Sequence, residues 1–205
     1  MKKNILGLLV AVLFVSAASA ATYNVDESHS IVGFSIKHLV VSKVKGRFNK
    51  FSGSFDFDEK KNEVSKIDVK VDVTSVDTND KKRDEHLSSP DFFDVKNHAN
   101  MTFTADKVVV KKDKAVKVSG NLTIKGVTKP VTLDLTYGGS VVDPWGNQKV
   151  GFSLSGKINR KDWGLNWNKT LDKGGLAVGE EVNLEIEGEA AVAKPAEAKP
   201  TEVKK

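Results

Sequence analysis

The chain holds 29 lysines and only three arginines, Arg47, Arg83 and Arg160. Lysine is therefore its general solubilising cation. Each arginine stands where a planar two-pronged donor has a particular use, because a guanidinium grips a carboxylate or phosphate through two parallel hydrogen bonds. Arg83 directly precedes Asp84 and Glu85, and Arg160 is close to Asp162. The ordinary outcome for both is a local ion pair, and the alternative is a polar head group held in the fork. His29, His38, His86 and His98 fall in separate contexts without the helical or alternating spacing of metal ligands, so no metal is expected. His38 lies on the apolar parity of its strand. Such a histidine is usually a core residue with one satisfied hydrogen bond; the alternative is a donor to a ligand head group. Trp163 and Trp167 share a glycine-containing loop, where indoles either close the end of a fold or line a mouth. No nucleophile elbow, His-Glu-x-x-His, phosphate-binding glycine loop or dinucleotide fingerprint is present, so neither catalysis nor a cofactor is expected.

These groups are positioned by strands. Val32, Phe34, Ile36 and His38 share one face of a first strand. Val44 to Phe57 is extended, with a change of parity that implies a bulge or turn near Asn49-Lys50. Ile67, Val69, Val71 and Val73 alternate with polar residues, as do Met101, Phe103 and Ala105. Val116 to Ile124 and Val131 to Tyr137 form a hairpin about Lys125-Gly126, with Leu122, Leu133 and Leu135 on one face. Phe152, Leu154 and Ile158 mark another strand, and Val182, Leu184 and Ile186 the last. About eight antiparallel strands, each with one apolar face, close as a sandwich or barrel. One stretch breaks the pattern. Asn79 or Asp80 caps a short helix running to about Leu87; then come Pro90 and the adjacent Phe92 and Phe93, which cannot both point to one face of a strand.

The ends read differently. Lys2 and Lys3, the apolar run Ile5 to Val15 and Ala18-Ser19-Ala20 form a secretory signal peptide over residues 1–20, with the mature chain starting at Ala21. No later run reaches membrane length, so no stable membrane insertion is expected. Residues 191–205, rich in Ala, Lys, Pro and Glu, are expected to be a disordered tail. The overall charge of +5 belongs largely to these ends. Residues 21–190 keep 26 basic and 25 acidic groups, which argues against a nucleic-acid partner. That length suits one domain with a sizeable core. With no cysteine, stability rests on that core alone.

Asp26-x-x-His29-Ser30 with Phe34 and His38, and Arg83-Asp84-x-His86-Leu87-x-Ser89-x-Asp91-Phe92-Phe93-Asp94-Val95, resemble motifs of the YceI-like family. So do Gly120 to Lys129 and Arg160-x-Asp162-Trp163-Gly164, although many members have Phe where Trp163 stands. The resemblance spans residues 21–190 and implies an all-β, eight-stranded lipocalin-like barrel around a long apolar tunnel. It further implies an exported periplasmic protein that binds a polyisoprenoid, isoprenoid quinone or other long-chain amphiphile, with links to envelope stress and room for a homodimer. On their own the apolar stripes read as packing. With the resemblance, Val32, Phe34, Ile36, Phe55, Val69, Val71, Phe92, Phe93, Phe103, Leu122, Leu133, Leu135, Phe152 and Leu154 become the expected tunnel wall. His38, Arg160 and Trp163 become the expected head-group contacts. Two other readings stay open: an envelope enzyme using His38, Arg160 and Asp162 on a lipid or quinone, and a structural protein whose barrel is filled by its own side chains.

Overall fold

The computed structural model describes residues 20–172 and 174–194. The strands are β1 (Ala21–His38), β2 (Ser42–Phe48), β3 (Phe51–Asp58), β4 (Glu63–Asp72), β5 (Val76–Asp77), β6 (Asn100–Val109), β7 (Ala115–Ile124), β8 (Val127–Val142), β9 (Gln148–Asn159) and β10 (Val178–Val192); α1 (Lys81–Ser88) follows β5. Pairing runs β10-β9-β8-β7-β6-β4-β3-β1, and β1 closes the ring on β10 through pairs such as Val32 with Ile186 and Phe34 with Leu184. The ring is an eight-stranded antiparallel barrel, the fold class expected. β2 and β3 act as one kinked strand: β1 pairs with β3 near its start and with β2 over its second half. The kink falls at Asn49-Lys50, where the apolar parity changes.

The opposite side of that kink explains the first motif. Asp26 pairs with Glu189 and Ile31 with Glu187, so residues 27–30 bulge out of β1. Asp26 clasps the bulge. Its carboxylate accepts from the Ser28 amide at 3.1 Å and hydroxyl at 2.6 Å, lies 2.8 Å from His29 Nδ1, and takes the Lys149 ammonium at 3.2 Å. Ser30 bonds the Glu189 backbone, and Glu27 accepts from the Phe51 amide across the kink. The Ser28 and His29 contacts, with a smaller part from Lys149, hold the Asp26 carboxyl well below the usual carboxylate range. Asp26, His29 and Glu189 thus converge, but the cation between the two carboxylates is the Lys149 ammonium.

The two barrel ends differ. One is sealed by Tyr23, Phe57, Val110, Val118, Val150 and Ala190, all almost wholly buried. The Tyr23 phenol donates to Glu59, and burial followed by that carboxylate pushes its pKa up. The other end is covered by α1, the crossover to β6 and the 3-10 turn Arg160–Trp163. Asp80 caps α1 by accepting from the Arg83 amide. The β7–β8 turn places Lys125 at φ 50° and Gly126 at φ 75°, and the Lys125 ammonium ties the crossover down through the Pro90 carbonyl at 2.7 Å. At Gly46 a Cβ would meet the Phe34 ring at 2.4 Å, so glycine is what lets that ring lie inside the barrel. β10 pairs Ala191 and Val192 with Asn24 and Tyr23, so the barrel continues past the expected boundary at residue 190. The expected signal peptide, save residue 20, and the tail from residue 195 lie outside the described residues. No helix among the described residues is long and apolar enough to cross a membrane.

Candidate functional site

Alternation along every ring strand sends one row of side chains inward, and the rows do not fill the interior. They leave a cavity of about 570 Å³, within the range that holds a single small ligand. Its wall includes the residues that the resemblance implied for a tunnel: Val32, Phe34, Ile36, Phe55, Val69, Val71, Phe92, Phe93, Phe103, Leu122, Leu133, Leu135, Phe152 and Leu154. The filled-barrel reading required continuous packing along the axis, and this void departs from it.

Phe92 and Phe93 both face the cavity because residues 90–93 run as turns, free of the alternation a strand imposes. The Phe93 amide reaches the Leu87 carbonyl at 3.0 Å and the Val95 amide the Ser88 carbonyl at 3.1 Å, folding the crossover back on α1. Phe93 meets Phe48 edge-on, with centroids 5.9 Å apart. Phe92, His86 and Trp167 form one aromatic group, in which the His86 ring is edge-on to both neighbours. His86 also bonds Asp91 at 2.9 Å, fixing the crossover to the helix.

The charged part of the wall lies at the covered end. Lys37 and His38, from the end of β1, face the side where Asp80, Lys82, Arg83 and His86 of the α1 region contribute. His38 is half-buried, and its ring makes no hydrogen bond among the described residues, unlike the satisfied core histidine expected as the ordinary case. Arg83 is not the partner of Asp84. Its guanidinium bonds the Thr78 hydroxyl and carbonyl, each at 2.7 Å, while Asp84 accepts from the Thr78 amide and hydroxyl. The two charges therefore anchor α1 to β5 through one buried threonine.

Arg160 and Trp163 differ from the head-group role expected of them. Arg160 is 4% exposed and touches the cavity wall, but its donors serve the carbonyls of Gly179, Leu165 and Val178. Burial works against its charge and lowers its pKa, with Glu180 partly opposing. It forms no ion pair with Asp162, which is exposed and absent from the cavity wall. The convergence of His38, Arg160 and Asp162 that the enzyme reading needs is thus not formed. Trp163 is 2% exposed, donates its indole N–H to the Leu122 carbonyl at 3.1 Å and packs behind the wall; Trp167 lines the cavity instead. Sequence spacing could not separate the two indoles, since neither shows which partner its N–H reaches.

Fold and site together define a closed β-barrel with an internal, mainly apolar cavity whose charged residues gather at one end. Residues 23–190 match the YceI-like domain, and the chain belongs to that family. Protein YceI of Salmonella newport is 41% identical over 192 residues, spanning 92% of this chain and 98% of that one. The structure is similar to the Campylobacter jejuni YCEI protein, with a TM-score of 0.64, 39% identity, and coverage of 77% of this chain and 90% of that one. It shares its fold with a polyisoprenoid binding domain from Saccharophagus degradans, at a TM-score of 0.61 and 15% identity, covering 85% and 99% of the two chains.

Proposed function

We propose that this protein binds one long-chain amphiphile, a polyisoprenoid or isoprenoid quinone, and carries it through the periplasm after export. The observation that carries this reading is the cavity of about 570 Å³, walled mainly by apolar side chains from around the barrel, with its charged residues at the covered end. A tail buried there gains about 0.8 kcal/mol per methylene, so a long chain binds tightly without specific polar contacts, and length and shape select it. The fold shared with the Saccharophagus polyisoprenoid binding domain is consistent with such a cargo. His38, whose ring makes no hydrogen bond among the described residues, is the head-group donor in this reading, and Lys37 and Lys82 also line the cavity. Arg160 and Trp163 hold the loop that frames the site. Binding needs no bond making, so the protein acts as a carrier without catalysis.

Organic extraction of protein purified from its native compartment, followed by mass spectrometry, tests this directly. One long-chain lipid per protein is the expected result. A preparation that yields no stoichiometric lipid, and takes up none when offered polyprenols or quinones, overturns the reading.

A further inference from the structure

The turn joining β1 to β2 is built against its own chemistry. Leu39 and Val40 have φ of 50° and 64°, a region that favours glycine and is a genuine outlier for a β-branched side chain. The β7–β8 turn of the same barrel meets a similar demand with Gly126. The side chains at the apex are not hidden either: Val40 is 67% and Val41 86% exposed, with Leu39 and Leu176 also open to water. Val40 lies against Gly175, where an added Cβ would come within 3.2 Å of it, so the loop bearing Leu176 backs the apex. Strain and exposed apolar surface both oppose stability in water, and together they point to a use at an interface.

The charges beneath the apex indicate which interface. Lys37 and Lys43 face each other directly across the hairpin, and Lys45 follows on β2; all three are exposed and have no acidic partner among the described residues. Like charges directly opposite are destabilising in water. The acids at the start of β10 do not compensate them, since Glu180 is engaged by Lys161 and Glu181 by Lys157. The adjoining loop carries Lys169, Asp172 and Lys173 in its sequence, so it too is net basic. An apolar tip above unpaired lysines fits a bilayer surface with anionic head groups, where each lysine contributes about 1 kcal/mol. Lys37, His38 and Val44, which flank the tip, line the cavity. We propose that Leu39-Val40-Val41 docks the covered end of the barrel, whose β1–β2 hairpin lines the cavity, onto an anionic lipid surface, so that cargo passes between bilayer and barrel without crossing water. The transfer role rests on the amphiphile-binding reading; the docking itself does not.

The test is flotation of the mature protein with vesicles of phosphatidylethanolamine and phosphatidylglycerol, compared with neutral phosphatidylcholine vesicles. The wild type is expected to float with the anionic vesicles and to be released by salt. Val40→Asp with Val41→Asp should lower the bound fraction at least about tenfold. Lys37→Glu with Lys43→Glu should abolish the preference for anionic lipid. Val40→Gly suits the backbone at that position, so it should raise the melting temperature while weakening flotation. Trp145, exposed in the β8–β9 turn at the sealed end, supplies the control, and Trp145→Ser should float as wild type. In parallel, a fluorescent polyene fatty acid reports entry into the cavity. Probe uptake without vesicle binding overturns docking and leaves the cargo reading standing; vesicle binding without uptake does the reverse. Apex variants that float like wild type, or that only convert a dimer to a monomer, also overturn it.

Discussion

Asp26 shows how one carboxylate stabilises an irregular backbone. Its depressed pKa means that the folded state favours the ionised form more than the unfolded chain does, where aspartate titrates near 3.8. The contribution is therefore complete above that value and disappears as pH falls through the folded pKa. Asp26→Asn is expected to cost about 1 kcal/mol at pH 7, discounted for a site at the surface. The difference between variant and wild type should shrink below about pH 4, as urea titrations at several pH values will show. Arg160 illustrates the same scale inside the protein. A charged fork is spent there on backbone carbonyls, which lets the segment from Arg160 to Val178 leave the ring without orphaning them.

The crossover from α1 to β6 is the element with most influence over access. It is pinned at one edge by Lys125 on the Pro90 carbonyl and at another by His86 on Asp91, while Phe92 and Phe93 reach the cavity between these ties. Replacing both phenylalanines by alanine separates two roles. If they act as a lid, the variant keeps its circular dichroism and melts within a few degrees of wild type but loses bound lipid. If they plug the end as part of the core, removing two large aromatics costs about 6 kcal/mol and unfolds the barrel. Phe92 is 6% exposed inside the core cluster of this end, so the double variant is expected to melt well below wild type even where the backbone hydrogen bonds keep the crossover's path.

At the scale of the whole molecule, the barrel's stability is divided between its ends. The sealed end has a packed cluster around Tyr23 and Phe57; the middle contains a void whose wall lacks contacts on one side. A ligand that fills the void binds only the folded state and stabilises it by mass action, about 2.7 kcal/mol at one hundred times the dissociation constant. Delipidated protein is therefore expected to melt several degrees lower than the native preparation, and adding back extracted lipid should restore the difference in calorimetry. An unchanged melting temperature would count against an occupied cavity.

Much of this architecture was legible in the residues. Alternation gave the inward face of each strand, because a strand's side-chain period is two whatever lies beyond it, and the strand residues on that face line the cavity. Lys125-Gly126, the parity change at Asn49-Lys50 and the Asp80 cap were equally local signals. What alternation does not encode is the distance between opposed faces. Whether the inward rows interlock or stand apart depends on how the ring closes, and only the tertiary structure decided that they leave a void. The partners of Arg83, Arg160 and Trp163 were decided in the same way. Their donors reach carbonyls or hydroxyls that local charge pairing gives no reason to prefer, and in Trp163 the acceptor, Leu122, lies on a distant strand. The apex at Leu39-Val40-Val41 belongs to this second class, since three apolar residues between two strands do not reveal whether the fold covers them or leaves them in water.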